Sequence, residues 1–196
     1  VSKRWQKTLT PKTQWGIPEK AIVLCTVSNR LGRLSHTMIQ LIIQLLQKHP
    51  EVYYLTIGND FPVQYFSKYP EIMKRIINLG PQKYAPHFIR STDIYLNDFP
   101  IGGGLTIIEA MAAGLPIVSF YNENGLPPSR HAGHYFGKEN CTFYGDTQGY
   151  LELASKLISC KKIRADWKNK SLDAYQKMNS PQKYGENFEK ILSYLK

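Results

Sequence analysis

Three consecutive glycines set between an apolar run and an apolar helix constrain this chain more than any other stretch. Residues 94–120 read IYLNDFPIGGGLTIIEAMAAGLPIVSF. Ile94, Tyr95 and Leu96 form a short apolar run suited to a buried parallel strand. Gly102, Gly103 and Gly104 then open a helix that ends at Gly114, where a left-handed C-cap belongs, and Pro116 cannot continue it. Residues 116–120 are apolar again and rich in strand formers. A turn without side chains at a helix start lets an anion reach backbone N–H groups and the positive end of the helix dipole.

The helix carries a second signal. At 100° per residue, Leu105, Ile107, Ile108, Ala110, Met111, Ala112 and Ala113 leave almost no polar face. Such a helix is expected to be buried all round, which brings Glu109 near the interior. A buried carboxylate is costly unless it is hydrogen-bonded, and two adjacent ribose hydroxyls would satisfy both of its oxygens. The unit therefore reads as a nucleotide site, with phosphates on the glycines and ribose on Glu109. The plainer alternative is a glycine turn with Glu109 paired to a nearby Lys or Arg.

With 196 residues the chain can bury a proper core. It begins with Val rather than Met, so a further domain upstream is expected. No window is apolar for long enough to cross a membrane, and no secretory signal pattern is present. Cys25, Cys141 and Cys160 follow no metal or redox spacing and read as free thiols of a cytoplasmic protein. The net charge of +10 implies an anionic partner: nucleic acid, an anionic membrane surface or a phosphorylated small ligand. Its basic clusters, Lys3, Arg4, Lys7 and Lys12 and then Lys156 to Lys170, lack the aromatic interleaving of a single-strand binder and any helix-turn-helix or zinc-finger pattern, so nucleic acid is set aside.

In chain order, residues 1–20 are polar, basic and broken by Pro11, Gly16 and Pro18, and read as a lead-in or linker on which Trp5 and Trp15 can dock. Strands are expected at 21–27, 52–57 and 75–79, with a loop at 28–35 and a helix capped by Ser35 running to Lys48. A short helix falls within 82–91. Residues 121–137 form a long loop, 141–144 a short strand, and helices follow at 147–159, with Thr147 as cap, at 162–178 and at 184–194. Alternating strands and helices give an α/β class: a Rossmann-like parallel sheet flanked by helices over residues 21–196. Ligands of such sheets bind beyond the C-terminal strand ends.

Taken together, GIPEKAIVLCTVSNRL, LTIGND and INLGPQKYAPHFIRSTDIYLNDFPIGGGLTIIEAMAAGLPIVSF resemble the C-terminal, donor-binding half of GT-B fold glycosyltransferases, group 1 type. The NRLGRLS and SRHAGHYF stretches also resemble the peptide O-linked N-acetylglucosaminyltransferases and their bacterial relatives. The resemblance implies a transferase that binds a UDP-sugar or other NDP-sugar and passes the sugar to a saccharide, lipid-linked or protein acceptor held by an N-terminal domain, with no cofactor. It implies that Glu109 binds the donor ribose and that the backbone at Gly102 and Gly104 cradles the diphosphate; Gly103, Leu105 and Thr106 of the same turn are further candidate contacts. Arg30 and Arg33 neutralise the leaving diphosphate in the catalytic role, which makes a metal unnecessary. The family's first motif glutamate falls on Ile101, a departure that leaves the sugar and the stereochemical course open.

Other residues stay open. His131 and His134 supply too few ligands for a metal. Ser129, Arg130 or His131 fits a donor-phosphate or sugar contact, or a structural loop. Asp98 can touch the sugar or cap its loop. Three functions remain: a transferase, a non-catalytic nucleotide-sugar-binding module, and a sugar-nucleotide epimerase of GT-B architecture. Peripheral contact with an anionic membrane suits the basic charge.

Overall fold

A computed structural model describes residues 9–125 and 132–193. Five parallel strands form the main sheet: β1 (Ile22–Arg30), β2 (Val52–Asn59), β3 (Ile76–Asn78), β4 (Ile94–Leu96) and β5 (Ile117–Val118), in the order β3-β2-β1-β4-β5. The order reverses between β1 and β4, which pair Leu24 with Ile94 and Cys25 with Tyr95. In a doubly wound sheet that reversal opens a crevice at the C-terminal strand ends.

β1 shows why the sheet is buried on both faces. Leu24 packs into one core layer, with Ile42, Leu46, Tyr54 and Leu157. Val23, Cys25 and Val27 point the other way, into a layer with Leu55, Tyr95, Ile107 and Met111. This is the period-2 alternation of a central strand. The first layer is covered by α1 (His36–Lys48), the short α2 (Pro70–Met73) and α5 (Thr147–Ser159), the second by α3 (Pro86–Ile89) and α4 (Leu105–Ala112). Ser35 caps α1 as expected, accepting from the Met38 N–H at 3.1 Å. α4 closes as a Schellman motif: Leu115 N–H donates to Ala110 O, Gly114 N–H to Met111 O, and Gly114 has φ of 69°.

Several expectations need correction. β1 does not end at residue 27; it runs through Ser28, Asn29 and Arg30 with one extra residue against β2, because Val27 pairs Ile57 while Arg30 pairs Asn59. This is a β-bulge. Gly58 makes room for it: at φ of 145°, a Cβ there would stand 1.7 Å from the Ser28 carbonyl oxygen. The run after Pro116 splits into β5 and a separate β6 (Phe120–Tyr121), which pairs in parallel with β7 (Thr142–Phe143). Residue 119 lies between them, its carbonyl accepting from the Thr142 N–H. The cap of α5 is Asp146, not Thr147; its Oδ1 accepts from Gly149 N–H at 2.8 Å. The later loop is not wholly irregular, since Gly133–Gly137 forms a π-helical turn. α6 (Lys161–Ala174) packs on α4, and α7 (Pro181–Ser193) follows it.

Within the lead-in, Ile17 is fully buried and Trp15 meets Phe88 with ring centroids 5.9 Å apart. Lys12 Nζ reaches Asp93 at 2.6 Å and the Ala21 carbonyl at 2.9 Å, and Asp93 also accepts from the Val23 N–H. Lys12 therefore ties this segment to the start of β1. Trp5, Lys3, Arg4 and Lys7 lie outside the described residues. No helix among the described residues is long and apolar enough to cross a membrane.

Candidate nucleotide cleft

A cleft in two joined halves follows the C-terminal edge of the sheet at the reversal. One half, of about 400 Å³, is lined by Arg30, Arg33, Asp98, Gly102, Gly103 and Gly104, with Ser28 and Ile101 beside them. The other, of about 540 Å³, holds Glu109 and a wall made by residues 81–87. Val27, Asn29, Leu105 and Thr106 line both halves, so the two form one groove.

Each piece is placed by the fold. The bulge carries β1 on past Val27, and the turn Leu31–Arg33 follows at once, which sets Arg30 and Arg33 on the lip. Among the described residues neither guanidinium has an ion-pair partner. From the end of β4, Asn97 accepts the Gly103 N–H at 3.1 Å and donates to Ser119 at 3.0 Å, so the glycine turn hangs from the strand. The Phe99–Pro100 peptide within that turn is cis. Gly104 is the N-cap of α4 with no side-chain cap, and among the described residues the N–H groups of Gly104, Leu105 and Thr106 have no protein acceptor. The Gly103 amide is already used; the amides left for an anion are those of the first helical turn. A Cβ on Gly103 would lie 2.0 Å from Thr106 Oγ1.

Two buried polar atoms of the groove lack hydrogen-bond partners among the described residues: Thr106 Oγ1, which lines both halves, and Asp98 Oδ1, in the glycine-lined half. Burial pushes the Asp98 carboxyl up to about 6, although the Ser28 hydroxyl and the Gly103 amide favour its charge. Glu109, half-buried, is also raised above the ordinary carboxylate range by desolvation. It has no hydrogen-bond or ion-pair partner among the described residues, so the alternative in which a Lys or Arg pairs it inside the protein is not realised there. Nor is α4 buried all round: Leu105 is 78% exposed and Thr106 and Glu109 are only partly covered, because the open side of the helix is the cleft itself.

The structure thus gathers Arg30, Arg33, Gly102, Gly103, Gly104, Leu105, Thr106 and Glu109 around one groove. Ser129, Arg130 and His131 lie outside the described residues. The wall at 81–87 was missed by pattern reading, although Gly80 and Pro81 directly after a strand on the ligand edge were a usable signal. Asn97, Asn29 and Asn59 were likewise missed.

Set against solved structures, this parallel order with its reversal point is the Rossmann-like fold seen in the C-terminal domains of GT-B glycosyltransferases. Particular proteins share it. The C-terminal domain of LpcC, a glycosyl transferase group 1 family protein from Francisella tularensis, matches with a TM-score of 0.63 at 21% identity, over 89% of this chain and 95% of that one. Alr3699/HepE from Anabaena, solved in complex with UDP, gives 0.70 at 19% identity over 93% of this chain and 51% of that one. A glycosyltransferase from Rickettsia africae gives 0.73 at 14% identity, over 98% and 55%. In sequence, the UDP-N-acetylglucosamine–peptide N-acetylglucosaminyltransferase of Giardia intestinalis is 24% identical over 118 residues, 56% of this chain and 8% of that one. No family model matches the sequence. The chain spans about half the length of HepE and the Rickettsia enzyme and far less of the Giardia relative.

Proposed function

We propose that this chain is the donor-binding half of a glycosyltransferase and holds an NDP-sugar, with UDP favoured as the nucleotide. The observation that carries the reading is the joined groove. Among the described residues, uncapped amides and two arginines without ion-pair partners lie at one end, and a carboxylate without a partner lies on the next turn of the same helix. In this reading the diphosphate takes the α4 amides, Thr106 Oγ1 and the guanidiniums. The ribose diol meets Glu109, and the base lies against the wall at 81–87.

Transfer breaks the bond between the anomeric carbon and the β-phosphate oxygen and forms one to the oxygen of an acceptor hydroxyl, whose proton passes to the departing diphosphate or to solvent. Negative charge then collects on the departing diphosphate. Fixed amides and arginines stabilise that charge without reorganising, and an Arg fork suits phosphate oxygens. The acceptor, saccharide, lipid-linked or protein, belongs to a partner domain, so the isolated chain is expected to bind nucleotide and transfer little. A cytoplasmic setting and contact with anionic membrane through exposed Lys161, Lys162, Lys168 and Lys170 of α6 belong to the same reading.

One observation favours a second reading. Ile101, 39% exposed at the lip, puts an alkyl group where the family motif has its sugar-contacting glutamate, which suits a nucleotide-sugar-binding module without transfer. Calorimetry of the chain against UDP, GDP, ADP and CMP tests the shared core; silence with all four would remove it. Transfer assays on a form carrying the acceptor domain, with Glu109→Ala alongside, separate enzyme from module.

A further inference from the structure

Asp98 places a carboxylate where the proposed ligand brings its own negative charge. It follows β4, lines the phosphate half with Arg30, Arg33 and the glycine turn, and is 8% exposed. Oδ1 is buried without a hydrogen-bond partner among the described residues. The groups around it come from every packed element. Ser28 and the guanidiniums of Arg30 and Arg33 come from β1 and its turn, and the Gly103 amide comes from the glycine turn. Tyr54 comes from β2 and Tyr95 from β4, and α4 brings Thr106, while its Glu109 lines the other half of the groove. Both phenols are pushed up by burial and stay neutral. Arg30 and Arg33 are exposed, and no ion pair joins them to Asp98 among the described residues.

Like charges in a desolvated site do not both remain ionised. A diphosphate on the first-turn amides of α4 would face a buried carboxylate already held only weakly in its charged form. A protonated carboxyl removes the repulsion and turns an acceptor without a donor into a group that can itself donate. We infer that Asp98 is a positioning residue that takes up one proton from solvent as the diphosphate binds, its neutral carboxyl holding the glycine turn beneath the phosphates. The inference rests on the nucleotide-sugar reading of the cleft.

The sign of the pH dependence follows. Free Asp98 loses its proton at about pH 6, whereas the complex keeps it to a higher pH. Between those values affinity falls as pH rises, by up to about tenfold per unit for one proton. Below the lower value both states carry the proton and the dependence vanishes.

The test is calorimetry with UDP-glucose, and with GDP- and ADP-glucose, in buffers of different ionisation enthalpy between pH 6 and 8. The diphosphate diester of a sugar nucleotide has no proton of its own to exchange in that range, so any proton taken up belongs to the protein. Uptake approaching one proton near pH 7, with affinity falling toward pH 8, is expected of the wild type. Asp98→Asn, which mimics the neutral carboxyl, should bind without proton uptake and without that pH dependence, and Asp98→Ala, equally free of the pH dependence, should bind about tenfold more weakly than Asp98→Asn at every pH. Binding by the wild type without proton uptake, or an unchanged pH profile in Asp98→Asn, overturns the role of Asp98 and leaves the cleft reading standing. Binding of none of the three sugar nucleotides overturns both. Because absence of uptake in the wild type overturns the inference by itself, a variant that fails to fold does not shelter it.

Discussion

Glu109→Ala, read against 2′-deoxy-UDP as well as UDP, isolates the contact on which the nucleotide reading turns. Glu109 lies on the first turns of α4, half-buried, without a partner among the described residues, its carboxyl raised by desolvation. A hydrogen bond to a charged group contributes about 1.5–3 kcal/mol net. The cleft is open to solvent, so the lower end applies, and two ribose hydroxyls together give roughly 3 kcal/mol, or about a hundredfold in Kd. About half rides on the 2′-hydroxyl, so wild-type protein should prefer UDP over 2′-deoxy-UDP by about tenfold. In Glu109→Ala that preference should fall to unity, which closes a thermodynamic cycle measurable by calorimetry. The empty protein reports independently. A carboxyl whose folded value lies above its unfolded value costs nothing below the unfolded value, and its cost is complete above the folded one. Glu109→Gln should therefore raise Tm at pH 7 and not at pH 4. Equal affinity of the wild type for UDP and 2′-deoxy-UDP, or an undiminished preference in Glu109→Ala, would refute the ribose assignment.

Further perturbations probe the frame around that contact. Gly58→Ala would drive a Cβ into the Ser28 carbonyl at a backbone angle that side chains rarely adopt, and should destabilise the fold by about 3 kcal/mol or more, read by urea denaturation. Gly103→Ala clashes with the Thr106 hydroxyl, which must swing out of the cleft, and meets Asn97 Oδ1 and Thr106 Cβ at 3.4 Å; stability should change little while UDP binding weakens by about tenfold. Replacing Arg30 and Arg33 together with Ala should weaken UDP by about tenfold or more at low salt and by less at high salt, since both are exposed and screened. Asp93→Ala leaves the Val23 N–H without its acceptor and frees Lys12; it should cost about 1–3 kcal/mol of stability with UDP affinity unchanged, a control on fold against site.

Local chemistry made much of this legible. The apolar run 94–96, the Ser35 cap, the Gly114 stop and the helix at 147–159 each follow from a few adjacent residues, and each stands as read. What failed depended on distant neighbours. Ser28, Asn29 and Arg30 are polar and read as loop, yet they extend β1 because Gly58 on the next strand leaves room for a bulge. The face of α4 that reads as apolar is partly open because none of the described residues covers it at the cleft, which leaves Leu105 exposed. Asp146 rather than Thr147 caps α5 because the cap is settled by which side chain reaches the Gly149 amide. The wall at 81–87 carries no local mark of its role; it is a wall only because β3 ends beside β2, where Ile57, Gly58 and Asn59 close the same pocket.

Sequence alone determined the alternation of strands and helices, the side-chain-free turn at the start of α4 and the acid one turn further on. These are short-range matters of backbone freedom, capping and apolar spacing. Only the tertiary structure decided that β1 and β4 are neighbours, joined through Leu24 with Ile94 and Cys25 with Tyr95 across about seventy residues of chain. That pairing is what brings Arg30 and Arg33 to face Gly102, Gly103 and Gly104. The reason is physical. Ladder hydrogen bonds and two-sided burial choose a strand's partner, and both depend on residues far away in the chain. Whether Glu109 and Asp98 stand unpartnered is likewise a property of the packed fold, written in no single stretch.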